Sequence, residues 1–351
     1  MERSLSVQAR PSAASRVVEV DPRTDPRWEA FVSSRPDALV YHHPAWLEVL
    51  QRTYGYAVVA LAYVDPDDTV LGVLPLCRKR GLLSGRRLSS LPHTPIAGPL
   101  ARDPAIASAL VEAAIARARS TSRTQLQIKY SSTELDGLVS GLGMAPWSDA
   151  YVMDIPEDAS GIRFGNARNH ARVRWAVNKA VKAGVTVRSG EDDADLRRWH
   201  DLYLRTMRTH AVPPHPFEFF SSAKTIRAPR NLTPLLLAEQ GGALRRDVAH
   251  LRPNELIQWD VIHRASAEGF RRYELGGGLD EDPRLAAFKR KWGARPVTRF
   301  RYYFPFDEST KASRRGELYQ PETTLRRRLS AALWRRLPLP VTAIFGRWLY
   351  R

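Results

Sequence analysis

One rhythm runs twice along this chain: helices, then a hairpin or strand, then a helix, then strands. In the first half, residues 17–20 fit a short strand, and 26–32 and 44–52 read as helices. Pro44 opens the second helix at a first helical position, where its missing N–H costs nothing. Apolar, β-rich runs at 56–63 and 69–77 flank Asp65, Pro66, Asp67 and Asp68, so a hairpin with its own turn chemistry is predicted there. A strand at 87–91, a loop at 92–99, an alanine-rich helix at 105–119 and a strand at 125–129 follow. A short helix and turn at 137–144 and a strand at 151–155 close this half.

Residues 156–164 read as a linker. A basic helix at 166–183 is stopped by Gly184, followed by a strand at 185–188 and a helix at 193–210. Pro213, Pro214 and Pro216 then break the chain. A strand at 235–238, a helix at 254–268, a strand at 271–275, a tight loop of three glycines, a helix at 284–292 and a strand at 297–304 complete the second half. The alternation predicts an α/β (α+β) protein of two tandem units, 16–155 and 156–306, with mixed central sheets. The chain's 351 residues suffice for two cores.

Several classes are excluded. No apolar run approaches the roughly 18 to 20 residues that span a bilayer. The first eleven residues lack a hydrophobic signal core, and residues 1–15 read as a loose tail. The single cysteine, Cys77, cannot form an intramolecular disulfide or a multi-cysteine metal site, and it ends an apolar strand as a small buried side chain. These features predict a cytoplasmic protein.

The net charge of +17 is concentrated. Residues 160–190 carry seven basic side chains and no acid, and residues 309–351 carry ten basic and two acidic. The remainder is nearly neutral. Anionic partners are therefore expected at two places, unless the charge serves only solubility. On the 166–183 helix, Arg168, Arg172 and Lys179 share a face that suits phosphates of a nucleotide-linked substrate or a tRNA backbone. Trp175 is the only aromatic there, so single-strand readout is not expected. In the region after residue 306, a helix at 321–336 carries Leu325, Leu329 and Leu333 on one face. After Pro338 and Pro340, Val341, Ile344, Phe345, Trp348 and Leu349 recur at helical spacing beside Arg347 and Arg351. This basic amphipathic pattern over 322–351 fits either an anchor on an anionic membrane surface or a helix docked on the protein itself.

The order of short motifs resembles the bacterial Fem-like branch of the GNAT superfamily. In the first half it rests on Tyr41-His42-His43-Pro44-Ala45-Trp46-Leu47, Gly72-Val73-Leu74-Pro75-Leu76, Gly85-Arg86-Arg87-Leu88, Ser90-Leu91-Pro92 and Gly98-Pro99-Leu100. In the second half it rests on Leu251-Arg252-Pro253-Asn254-Glu255-Leu256, on 269–276, and on Phe288-Lys289-Arg290-Lys291-Trp292-Gly293, which matches a Phe-Lys-x-x-Trp-Gly signature. The resemblance covers most of 41–304. It implies two fused GNAT-like domains and transfer of an acyl or aminoacyl group to an amine of a cell-envelope or polysaccharide precursor. No cofactor would be held permanently; acyl-CoA or aminoacyl-tRNA would serve as cosubstrate. The acceptor would be an anionic small molecule or a lipid-linked precursor. A tRNA partner is admitted but not favoured, DNA is not expected, and the protein would lie on the inner membrane face if 322–351 is an anchor.

Amine acylation needs charge aimed at a tetrahedral oxyanion and a route for one proton. The resemblance assigns Lys289 to the first task; otherwise it is an exposed lysine of an amphipathic helix. Phe288 and Trp292, four residues apart, would anchor that helix. Glu274 stands where relatives carry an acid at a strand end and could take the amine proton, or it pairs with Arg271 or Arg272. Gly276 and Gly277, with Gly278, leave backbone amides that suit an oxyanion or phosphate, or form a bare turn. Asn254 and Arg252 begin a helix, where asparagine is a cap or lines the cleft. His215, with His210, flanks a proline-rich loop that resembles a substrate-facing one. His42 and His43 have no complementary ligands at metal spacing, so packing before a helix is expected and no metal site is predicted.

One departure matters. Relatives have a strand pair between the strands and helices matching 235–238 and 251–268. Here only Gly241 to His250 fills the gap, too few for two strands of about five or six residues each. The second domain is therefore expected to be shortened. The alternative function is a catalytically degenerate binding protein that has lost its donor site with that hairpin.

Overall fold

The computed structural model describes residues 14–81, 85–120, 124–130, 132–227, 235–240, 249–277, 283–306 and 325–349. Most of the expected loose tail thus lies outside the described residues. Helices and strands alternate along the chain, as the α/β pattern predicts. Two units emerge: residues 1–47, 57–143 and 302–306 form the first, and residues 48–56, 144–301 and 307–351 the second.

In the first unit, strands β1 (Arg16–Val20), β2 (Ala57–Val64), β3 (Val70–Gly81) and β4 (Gly85–Ser90) pair antiparallel in sequence order. The short β5 (Leu100–Ala101) pairs with β3, and β6 (Thr124–Tyr130) lies parallel to β4. The β2–β3 turn forms as its residues dictate: Asp65 accepts from the amides of Asp67 and Thr69 at 2.9 and 2.8 Å, and Asp68 takes φ +64°. Helix α1 (Pro26–Ser34) is capped by Asp25, and its buried Trp28 donates from Nε1 to the His42 carbonyl at 2.8 Å. Helix α2 (Pro44–Tyr54) follows. Asp103 caps α3 (Pro104–Arg119), accepting from the Ile106 amide at 3.0 Å. The helix packs Ile106 and Leu110 onto β2 and β3, close enough that a Cβ at Gly72 would stand 2.5 Å from Ile106. Cys77 is buried in β3.

The helix expected at 137–144 is absent. Those residues make turns and then run into β7 (Gly143–Asp154), a strand longer than 151–155. Its first half, with Gly143, Pro146 and Trp147, hides the strand pattern.

The second unit continues with α4 (Ala167–Lys182), β8 (Val185–Ser189), α5 (Asp193–Thr209) and α6 (Phe217–Arg227). Then come β9 (Leu236–Gln240), α7 (Pro253–Ala267), β10 (Arg272–Glu274), α8 (Pro283–Lys291), β11 (Arg295–Phe304), α9 (Leu325–Arg336) and α10 (Leu339–Leu349). Asn166 caps α4 by accepting from the Asn169 amide at 2.9 Å, and Gly184 ends it at φ +73°. Phe164, Val173, Val177, Ile262 and Trp292 lie in one buried cluster beneath α4, α7 and α8. Helix α6 was not expected. The prolines at 213, 214 and 216 all precede it, where proline costs no helical hydrogen bond.

Strands β10 and β11 flank β7 on its two sides, β10 antiparallel with Tyr273 opposite Met153. Strands β8 and β9 form a separate antiparallel sheet, Val187 opposite Ala238. Among the described residues no strand joins the two sheets; residues 241–248, the segment expected to be too short for a strand pair, lie outside them. An ion cluster built on two buried carboxylates ties β8–β9 to α5. Arg188 reaches Glu239 at 2.8 Å and Asp195 at 2.6 Å, and Arg198 also pairs with Asp195.

Candidate functional site

The end of β10 is built by pairing that outlasts the strand. Leu275 donates to the Tyr151 carbonyl at 2.8 Å, and Tyr151 returns a bond to the Gly276 carbonyl at 3.0 Å. Gly276 then turns at φ +70°, which favours glycine. At Gly277 a Cβ would stand 1.6 Å from the Asp149 carbonyl oxygen, so only glycine lets the backbone pass β7 here. Gly278 lies outside the described residues.

Lys289 closes this corner from α8. It is 5% exposed, so it is not the solvated lysine of an amphipathic face. Its Nζ donates to the Gly276 carbonyl at 3.1 Å and sits 5.0 Å from the centre of the Tyr151 ring. The cation thus meets a carbonyl dipole and a π face, both favourable to positive charge. The rest of its motif explains how the lysine is held. Trp292 is fully buried and meets Phe164 edge-on at 4.8 Å, while Phe288 lies 6.3 Å from Trp292. Gly293 caps the helix at φ +86°, and a Cβ there would meet the Gly165 nitrogen at 2.7 Å.

Glu274 pairs with Arg299 of β11, not with Arg271 or Arg272. The arginine is 6% exposed and the carboxylate 37%, so the acid faces water while its partner is sequestered. Arg271 instead lies 3.6 Å from Glu157. The partner comes from β11, twenty-five positions away in the chain.

At the start of α7, Arg252 is the N-cap, in the left-handed region at φ +65°, with Pro253 at the first helical position. Asn254 is therefore a first-turn residue and is exposed. The buried Glu255 ties this helix start to α8, accepting from Lys291 at 3.2 Å with Arg252 at 3.7 Å. Lys289, Gly276, Gly277 and Glu274 are thus gathered at one strand end, and Arg252 connects to α8 through Glu255. Arg172 is exposed on α4.

His215 belongs to a different cluster. Its Nδ1 is 2.6 Å from the Tyr54 hydroxyl, its ring stacks on Phe219 at 4.8 Å, and its amide donates to the Tyr203 hydroxyl at 2.9 Å. Burial pushes its pKa down to about 4, so the imidazole is neutral at pH 7. His42 is likewise buried, with Nε2 3.0 Å from the Gly98 carbonyl, and burial lowers its pKa. His43 lies 3.4 Å from Glu29. Among the described residues no group of three His, Cys, Asp or Glu side chains is placed to hold a metal.

Tyr151, Arg299 and Tyr54 escaped the sequence reading. Each acts through a partner distant in the chain, so no local spacing marks it.

Residues 235–290, the stretch that contains Lys289, Glu274 and the α7 start, match the family model of the acetyltransferase (GNAT) domain. No curated protein matches the chain by sequence. Among solved structures, FemX is similar over 85% of this chain and 99% of its own, at TM-score 0.58 and 15% identity. L-PGS from Bacillus licheniformis is similar over 86% of this chain and 97% of its own, at TM-score 0.54 and 11% identity. The C-terminal domain of a putative lysylphosphatidylglycerol synthetase from Agrobacterium fabrum is similar over 84% and 95%, at TM-score 0.52 and 12% identity. The chain therefore shares the fold of FemX, and its residues 235–290 match the GNAT domain.

Proposed function

We propose that the protein is an N-acyltransferase that moves an acyl or aminoacyl group from acyl-CoA or aminoacyl-tRNA to an amine of a cell-envelope or polysaccharide precursor. The observation that carries this reading is the buried Lys289 ammonium at the end of β10, inside the GNAT-domain match. The acceptor nitrogen attacks the donor carbonyl, a C–N bond forms, and the carbonyl oxygen gains negative charge. Lys289 supplies a fixed positive charge beside that oxygen. Collapse breaks the donor's C–S or C–O bond, and the amine proton passes to the Glu274 carboxylate and on to the leaving group. Arg299 holds Glu274 in position. Arg252, Asn254, Arg172 and His215 are proposed to contact the substrates, with the two arginines meeting acceptor or donor phosphates.

Among the described residues no strand joins the β8–β9 sheet to β7 and β10, which favours a second reading. In it, the chain keeps an acceptor cleft but no longer binds a donor. Incubating the purified chain with acetyl-CoA and a panel of amino sugars, with thiol release and calorimetric donor affinity as readouts, separates the two. Donor binding with thiol release that is lost in Lys289→Ala supports the enzyme. No binding of CoA or of aminoacyl-tRNA overturns it in favour of the binding protein.

A further inference from the structure

Helix α10 is seated by its small residues and displays its large ones. Thr342 is fully buried, and at Gly346 a Cβ would stand 2.1 Å from the Pro214 carbonyl oxygen. This side packs towards α5. The opposite side carries Ile344, Phe345 and Trp348, which are 64%, 50% and 81% exposed. A helix docked on its own body ordinarily turns its bulky apolar side inward, so the polarity of α10 is reversed. The Trp334 ring lies 6.4 Å from that of Phe345, and Leu333 beside it is 65% exposed, so the apolar surface extends onto α9.

Charge surrounds this surface. Arg335, Arg336 and Arg347 are exposed, Arg335 donating to the Thr209 carbonyl at 3.0 Å and Arg347 lying 3.4 Å from Glu218. Residues 309–351 hold ten basic side chains against two acidic. A tryptophan and two large apolar side chains rimmed by arginine match an anionic lipid surface: acyl chains take the apolar side chains, the indole sits at headgroup level, and arginines pair with phosphates. The described helices are not long and apolar enough to cross a membrane, so contact would lie in the interface.

We infer that the outer face of α10, with Leu333 and Trp334 of α9, docks the protein on an anionic bilayer. The inference stands apart from the transfer chemistry and uses none of its residues.

The test is flotation of the full chain with vesicles of phosphatidylglycerol and phosphatidylcholine in equal parts, and with phosphatidylcholine alone. The expected result is partition onto the first and not the second, falling by about tenfold in Phe345→Ser/Trp348→Ser, and weakened in Arg336→Glu and at high salt. Both serine sites are exposed, and an unchanged circular-dichroism melt verifies that the variant folds. Three results overturn the proposal: no partition of the parent chain, equal partition of the double variant, or dimerisation in sedimentation velocity that the double variant abolishes. The last assigns the face to a second copy of the chain.

Discussion

The ammonium of Lys289 donates to the carbonyl oxygen of Gly276, the same oxygen that accepts the Tyr151 amide. One buried lysine therefore fastens α8 to the end of β10 and carries a fixed charge there. Lys289→Met removes the donor and leaves the carbonyl half satisfied. A loss of about 1.5–3 kcal/mol in urea unfolding is expected, the range for a hydrogen bond to a charged group. The transfer reading further requires that any thiol release vanish in this variant. A variant as stable as the parent shows that the contact does not hold the corner.

Two adjacent glycines should respond differently. In Gly277→Ala the new methyl meets the Asp149 carbonyl, so β10 must shift away from β7, and about 3 kcal/mol of stability is expected to go. Gly276 has open space around its Cβ direction but a left-handed backbone, so Gly276→Ala should cost about 1–2 kcal/mol. Equilibrium unfolding of the two variants side by side checks the order; equal losses would refute the steric account.

What the chain announced locally, it delivered. The Asp65 turn and the Gly184 stop each act within four residues, so their sequence signals are the interactions themselves. The misreadings lie where partners are distant. Nearness in sequence pointed Glu274 to Arg271 or Arg272, yet Arg271 turns to Glu157 and β11 brings Arg299 to Glu274. Lys289 was recognisable by its motif, but its burial depends on Tyr151 and Gly276 reaching it through strand pairing. The three prolines before α6 read as a break and concealed the helix that starts just beyond them.

The ion cluster on β8 and β9 sets the acid limit of the second unit. Arg188 holds the Asp195 carboxyl well below the usual carboxylate range, chiefly by hydrogen bonding. A depressed carboxylate contributes stability that is present above its unfolded pKa of 3.8 and is lost as pH falls below it. Asp195→Asn should lower stability at neutral pH and flatten the decline between pH 4 and lower values. Thermal melts across that range, followed by circular dichroism, test it; a decline as steep as the parent's would sink the assignment.

The same linkage runs at milder pH through His215. Burial against Phe219 lowers its folded pKa to about 4, against 6.5 for a free histidine side chain, so the unfolded chain binds the extra proton first as pH drops. Its contribution is complete above pH 6.5 and drains away as pH falls towards 4, at up to about 1.4 kcal/mol per pH unit for one histidine. His200 and His42, also lowered by burial, add to the slope with the same sign. His215→Gln keeps a polar partner for the Tyr54 hydroxyl while removing the titration. Urea unfolding between pH 5 and 8 should give a visibly shallower line for this variant, and parallel lines would show that the imidazole accepts its proton in the folded state.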